Sequence, residues 1–97
     1  MNRSKAKGDR FERKIVRIAS EMGFDAYRNR MSRAPDGKGH WDVCINGLTF
    51  EVKKRKDGFK LIREWLDDNE GVIIGADRDE PLVVLRLVDY LKLLKLE

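Results

Sequence analysis

A chain of 97 residues has room for one compact domain, 1–97, and not for a second. Its 41% hydrophobic and 39% charged residues exclude a disordered tail, and the lack of any long apolar run excludes a membrane-spanning protein. The formal net charge is +4, and a single cysteine (Cys44) and a single histidine (His40) exclude an internal disulfide, a cysteine zinc cluster and a His-rich metal site.

Ser4 to Met22 reads as a helix, with Phe11, Ile15, Ile18 and Met22 as an apolar stripe and Arg10, Arg13, Lys14, Arg17 and Glu21 on the opposite side. Gly23 is its stop. Glu12 falls inside the apolar arc, between Val16 and Ala19. A carboxylate there is costly unless it is paired, with an arginine such as Arg17 or Arg28, or bound to a metal. Phe24 to Arg30 reads as a short strand. Met31 to Gly39 reads as a loop, with turn chemistry at Pro35-Asp36-Gly37.

Trp41–Ile45 and Leu48–Lys53 both alternate with period two around Asn46-Gly47, which predicts a hairpin with a two-residue turn. The register then pairs Ile45 with Leu48, Cys44 with Thr49, Val43 with Phe50, Asp42 with Glu51, Trp41 with Val52 and His40 with Lys53. One face is apolar: Trp41, Val43, Ile45, Leu48, Phe50 and Val52. The other carries His40, Asp42, Cys44, Thr49, Glu51 and Lys53. Cys44 reads as a half-buried filler, and Trp41 and Trp65 as core residues.

Further along, Phe59 to Asp68 reads as a helix with Leu61, Ile62, Trp65 and Leu66 inward. Val72–Ala76 reads as a buried central strand, Asp77–Pro81 as a turn, Leu82–Leu87 as a strand and Val88–Leu96 as a last helix. The order α-β-β-β-α-β-β-α predicts an α/β fold, bordering on α+β, with a mixed central sheet flanked by helices.

Like charges opposed across a strand pair repel, so the Asp42–Glu51 pairing suggests a divalent cation between them. With one histidine and one cysteine in the chain, such a site is oxygen-ligated, which points to Mg²⁺, with Mn²⁺ as a substitute. Lys53 shares the face of Glu51 and brings an ammonium beside it. A metal, two carboxylates and a lysine suit phosphodiester hydrolysis, in which charge on the phosphate is neutralised and a water is activated.

Asp42 followed by Glu51-Val52-Lys53 resembles the D…(D/E)xK core of the PD-(D/E)xK nuclease superfamily. The opening Lys7-Gly-Asp-Arg-Phe-Glu12, the Gly23-Phe24 pair and Ser32 in a basic loop are similar to archaeal-type Holliday junction resolvases. The match covers about the first half of the chain. It implies a restriction-endonuclease-like fold and an Mg²⁺-dependent endonuclease acting in DNA recombination. It also implies metal ligation by Asp42, Glu51 and the Val52 carbonyl, a metal or water contact from Glu12, nucleophile positioning by Lys53, and a substrate contact from Ser32. Trp41 stands where the family has proline. Pro35-Asp36 supplies such a pair elsewhere, which leaves Asp36 as a rival to Asp42. The short chain and tight hairpin look like a trimmed version, of the kind found among viral proteins.

Residues 1–60 hold 16 Lys and Arg against 8 Asp and Glu, whereas 61–97 hold 5 against 9. That asymmetry suggests a polyanionic partner docked on the first part. Lys54, Arg55 and Lys56 are expected to clamp the DNA backbone, with Arg28, Arg30 and Arg33 on the other side. Arg3, Lys5 and Lys7 are expected to act as a mobile basic arm over 1–7 that orders on DNA. A four-way junction needs paired cuts, so a homodimer is expected. The apolar residues Val83, Val84, Leu85, Leu87, Leu91, Leu93 and Leu94 would supply part of its face. Met1 to Arg10 is too polar for a secretory signal, so the chain reads as cytoplasmic. Two alternatives stay open: a restriction-like or nicking nuclease, and a non-catalytic basic nucleic-acid-binding module.

Overall fold

The computed structural model describes residues 3–29 and 41–96, with backbone alone for 3–6. Arg30, Ser32, Arg33, Asp36, His40 and the expected loop Met31–Gly39 lie outside the described residues, as do the side chains of Arg3 and Lys5. The elements are α1 (Arg3–Glu21), β1 (Ala26–Arg28), β2 (Val43–Ile45), β3 (Leu48–Phe50), α2 (Lys60–Leu66), β4 (Gly71–Ile74), β5 (Leu82–Leu85) and α3 (Leu87–Lys95). This is the order that hydrophobic periodicity predicts, in an α+β architecture.

One expectation is corrected. The described strands form two antiparallel sheets, β1-β2-β3 and β4-β5, rather than one mixed sheet. Short local connections account for two of the pairings: residues 46–47 and 75–81 are too few for the crossover that parallel neighbours need. The chain correspondingly divides into two compact units, Met1–Lys54 and Arg55–Glu97.

In the first unit, α1 ends in a glycine cap. Gly23 takes φ 93°, its N–H donates to Ser20 O at 3.0 Å, and Phe24 N–H donates to Ala19 O at 3.0 Å. The chain then returns as β1 and pairs with β2, matching Ala26 with Ile45, Tyr27 with Cys44 and Arg28 with Val43. Asn46 (φ 54°) and Gly47 (φ 81°) make the left-handed two-residue turn that the Asn-Gly pair predicts. The β2–β3 register is the expected one for Val43–Phe50, Cys44–Thr49 and Ile45–Leu48. Helix α1 packs on β1 and β2. Ile15, Ala19, Val43 and Ile45 are buried in the core, and Cys44 is buried too, more deeply than a half-buried filler.

The second unit is less enclosed than its sequence suggests. Strand β4 pairs with β5 alone, and the cross-strand partners Ile73 and Val83 are 77% and 62% exposed, so the apolar run is not a buried central strand. In α2 Leu61 and Trp65 are exposed, against the expected inward placement. A run of apolar residues reads the same whether a sheet has a neighbour on each face or only one. Gly71 allows the close pairing, because a Cβ there would lie 2.7 Å from Leu85 Cδ2. Arg86 closes α2 by donating to Leu66 O at 2.8 Å and Asn69 O at 3.0 Å, which satisfies carbonyls left over at the helix end. Leu91 of α3 is fully buried, so it is not part of an open apolar face.

Candidate active site at the mouth of the β2–β3 hairpin

The hairpin ladder stops at Val43–Phe50, so the direct Asp42–Glu51 pairing expected from the register is not formed. The chain bends at Asp42, whose N–H donates to Phe50 O at 2.9 Å. Its carboxylate turns to the segment after β3, where Oδ2 accepts the Val52 N–H at 2.6 Å. The physical reason is the one that makes opposed carboxylates unfavourable in a ladder. Asp42 trades a backbone rung for a charge-assisted bond to an amide, and Glu51 turns to a cation. The expected Trp41–Val52 rung is likewise absent from the ladder.

Glu51 and Lys53 meet on one side of the chain, with Lys53 Nζ 3.2 Å from Glu51 Oε1. Both side chains are more than half exposed. The pair therefore adds little to stability, and its charges remain accessible to a ligand.

Asn29 holds the approach to Asp42 from the other strand. Its N–H donates to Asp42 O and its Nδ2 to Trp41 O, each at 2.9 Å. Asp42 is thus fixed at its amide, its carbonyl and one carboxylate oxygen.

Glu12 is placed by α1, and its side chain is only 17% exposed, in keeping with its position in the apolar arc. Its partner is Arg28, whose Nε lies 3.0 Å from Glu12 Oε1 and whose Nη2 lies 3.0 Å from Asp9 Oδ1. The guanidinium spans two carboxylates one helical turn apart and ties α1 to β1. In this arrangement Glu12 and Arg28 answer each other's charge, and Arg28 is engaged within the fold. An Arg28→Ala variant is expected to lose about 1–2 kcal/mol after allowance for partial exposure, read as a lower urea midpoint. Arg28→Lys should recover only part, since lysine lacks the planar fork.

Lys54 lies with Nζ 5.0 Å from the centroid of the Phe11 ring, a cation–π contact that holds the chain after β3 against α1. Lys53, Lys54, Arg55 and Lys56 are all exposed, and Lys7 is half-buried.

Sequence reasoning did not single out Tyr27. Its ring meets Trp41 edge-on, with centroids 6.1 Å apart and planes at 77°. A hydrogen bond with the Cys44 thiol raises the Tyr27 pKa above its ordinary 10.0, and charge on Cys44, burial and Asp25 act in the same direction. Because the folded value exceeds the unfolded one, this contribution to stability is complete below about pH 10 and is lost as pH climbs through the folded value. Cys44→Ala should shift the phenolate absorbance titration of Tyr27 to lower pH. Nothing in the sequence links the two rings, because 13 residues separate them and the pairing of β1 with β2 is long-range.

A divalent cation is tested by the donors that face the hairpin mouth. Among the described residues, no three His, Cys, Asp or Glu side chains are grouped as a metal site. Mg²⁺ asks for less: one or two carboxylates, waters and a substrate phosphate suffice. Asp42 and Glu51 fit that requirement in donor type, and Asp42 is pre-oriented by the Val52 amide. No helix among the described residues is long and apolar enough to cross a membrane. Comparison of the chain with protein-family models, with curated proteins and with solved structures finds no match.

Proposed function

We propose that this chain is a metal-dependent DNA endonuclease with its site at the mouth of the β2–β3 hairpin. The observation that carries the reading is the 2.6 Å bond from the Val52 amide to Asp42, which joins the aspartate to the Glu51-Val52-Lys53 segment. That bond sets the Asp42 carboxylate against the backbone of the segment that carries Glu51 and Lys53, which supports the D…(D/E)xK reading. Asp42, Glu51 and the Val52 carbonyl would hold Mg²⁺, or Mn²⁺ in its place. The ion would supply charge neutralisation at the phosphate and an acidified water. Lys53 offers an ammonium beside Glu51, placed to orient a water or stabilise charge that develops on the phosphate.

The finer reading is a restriction-endonuclease-like fold acting as a Holliday junction resolvase, in a cytoplasmic homodimer. Its support is the α-β-β-β-α-β-β-α order, the basic character of Met1–Lys54, which holds 13 Lys and Arg against 7 Asp and Glu, and the exposed apolar residues of β4 and β5.

A second reading, a basic module that binds nucleic acid without cutting it, draws on the Arg28–Glu12 and Lys53–Glu51 pairs. In them the acids already have counter-charges. A labelled four-way junction and a linear duplex, each with Mg²⁺ and with EDTA, decide between the two. Symmetric Mg²⁺-dependent cuts in the junction alone support the resolvase. Cuts in both substrates support a general or nicking nuclease. Tight binding with no cut in Mg²⁺ or Mn²⁺ overturns the enzyme reading.

A further inference from the structure

We propose that Tyr27 and Trp41 form a stacking platform for an unpaired DNA base beside the hairpin mouth. The inference rests on the reading of this unit as DNA-binding. It goes beyond that reading by assigning a base-recognising surface to residues outside the D…(D/E)xK pattern.

Tyr27 is 49% exposed although it lies on a strand whose partner Cys44 is buried. A large ring left half open, within a unit where cationic residues outnumber acidic ones 13 to 7, is suited to a base and its phosphate together. The ring is also held in place. Trp41 braces it edge-on at 6.1 Å. The Trp41 backbone is held in turn, since its carbonyl accepts Asn29 Nδ2 at 2.9 Å. A ring fixed before the ligand arrives loses little freedom on binding, which favours stacking over mere coverage of the sheet.

Position supplies the rest. Trp41 immediately precedes Asp42, and the bend at Asp42 carries it against Tyr27. A base seated on this pair belongs to a nucleotide close to the carboxylates. Bases inside an intact duplex are stacked on their neighbours and present no face to a ring. The occupant is therefore an unstacked base, as found at a branch point, a gap or a flap. Such a platform would favour distorted DNA without reading its sequence, because every base has a π-face.

The test uses the full chain in EDTA, so that binding is read apart from cleavage. Gapped DNA carries 2-aminopurine at an unpaired position, and uninterrupted duplex is the control. Wild type and Tyr27→Phe should quench the probe on binding. Tyr27→Ala should not, and it should lose about ten- to a hundredfold in affinity for the gapped DNA while keeping its duplex affinity. Tyr27→Phe separates the ring from the hydroxyl bond to Cys44, so a purely structural role of that bond shows as a loss in both variants. Unchanged quenching in Tyr27→Ala overturns the inference, as does an equal loss on gapped and duplex DNA. If wild type also cuts junctions in Mg²⁺, the nuclease reading survives that failure. Tyr27-dependent quenching in a protein that cuts nothing would uphold the platform and sink the nuclease.

Discussion

Asp42→Asn and Glu51→Gln are each expected to lower Mg²⁺-dependent junction cleavage by at least about a hundredfold, the scale on which removal of one charge-stabilising group acts. DNA affinity should hold or rise in both, because each removes a negative charge near phosphate. Their effects on stability should be equally small, for different reasons. Asparagine keeps an oxygen that can accept the Val52 amide, so the hairpin mouth stays closed. Glu51 is exposed and its pair with Lys53 adds little. Asp42→Ala is the contrasting variant. It leaves the Val52 N–H without its acceptor and should lose a further 1 kcal/mol or so of stability. Cleavage assays, filter binding and urea titration on the same preparations read the three effects. Full activity in Glu51→Gln would remove that carboxylate from the chemistry.

Ile45→Ala should be the most destabilising single change in the first unit, at about 2–4 kcal/mol. Ile45 is 1% exposed, stands between Ala26 and Leu48 across two ladders, and lies on the strand that α1 covers. A domain's whole stability is about 5–15 kcal/mol, so the loss is a large share of it. Ile45→Val, which removes one methylene, should cost about 1 kcal/mol. Urea unfolding measures both. Trp41 lies in the first unit and Trp65 in the second, so single-tryptophan versions show whether the loss reaches Arg55–Glu97. Destabilisation below about 1 kcal/mol for Ile45→Ala would mean that the core is centred elsewhere.

Local signals in the chain were strong where they depended on adjacent residues. The Asn46-Gly47 turn, the three hairpin rungs nearest it, the glycine stop of α1 and the order of the eight elements among the described residues follow from turn chemistry and periodicity. The site was legible in part. Alternation places Glu51 and Lys53 on one side, and they are 3.2 Å apart. It also opposes Asp42 to Glu51, where the chain instead bends and bonds a side chain to an amide. Period-two reasoning assumes that the ladder continues, and charge repulsion at its end is a competing force that spacing does not encode. Glu12 shows a second limit. Its inward position was readable, but a wheel cannot tell a metal from a guanidinium, and Arg28 comes from a strand. In the second unit the apolar runs gave the elements but not their exposure, because burial depends on what lies opposite.

The glycine cap and the two-residue turn also bear on how the first unit assembles. The β2–β3 hairpin closes over two residues, so its rungs can form on a timescale of about microseconds. Strand β1 has to find β2 across residues 29–42, a larger loop whose closure costs more chain entropy. The hairpin is then the natural nucleus, and α1 with β1 docks onto it as one piece, fastened by Arg28 to Asp9 and Glu12. Changes in the Asn46-Gly47 turn should slow folding, whereas loss of the Arg28 clamp should chiefly hasten unfolding.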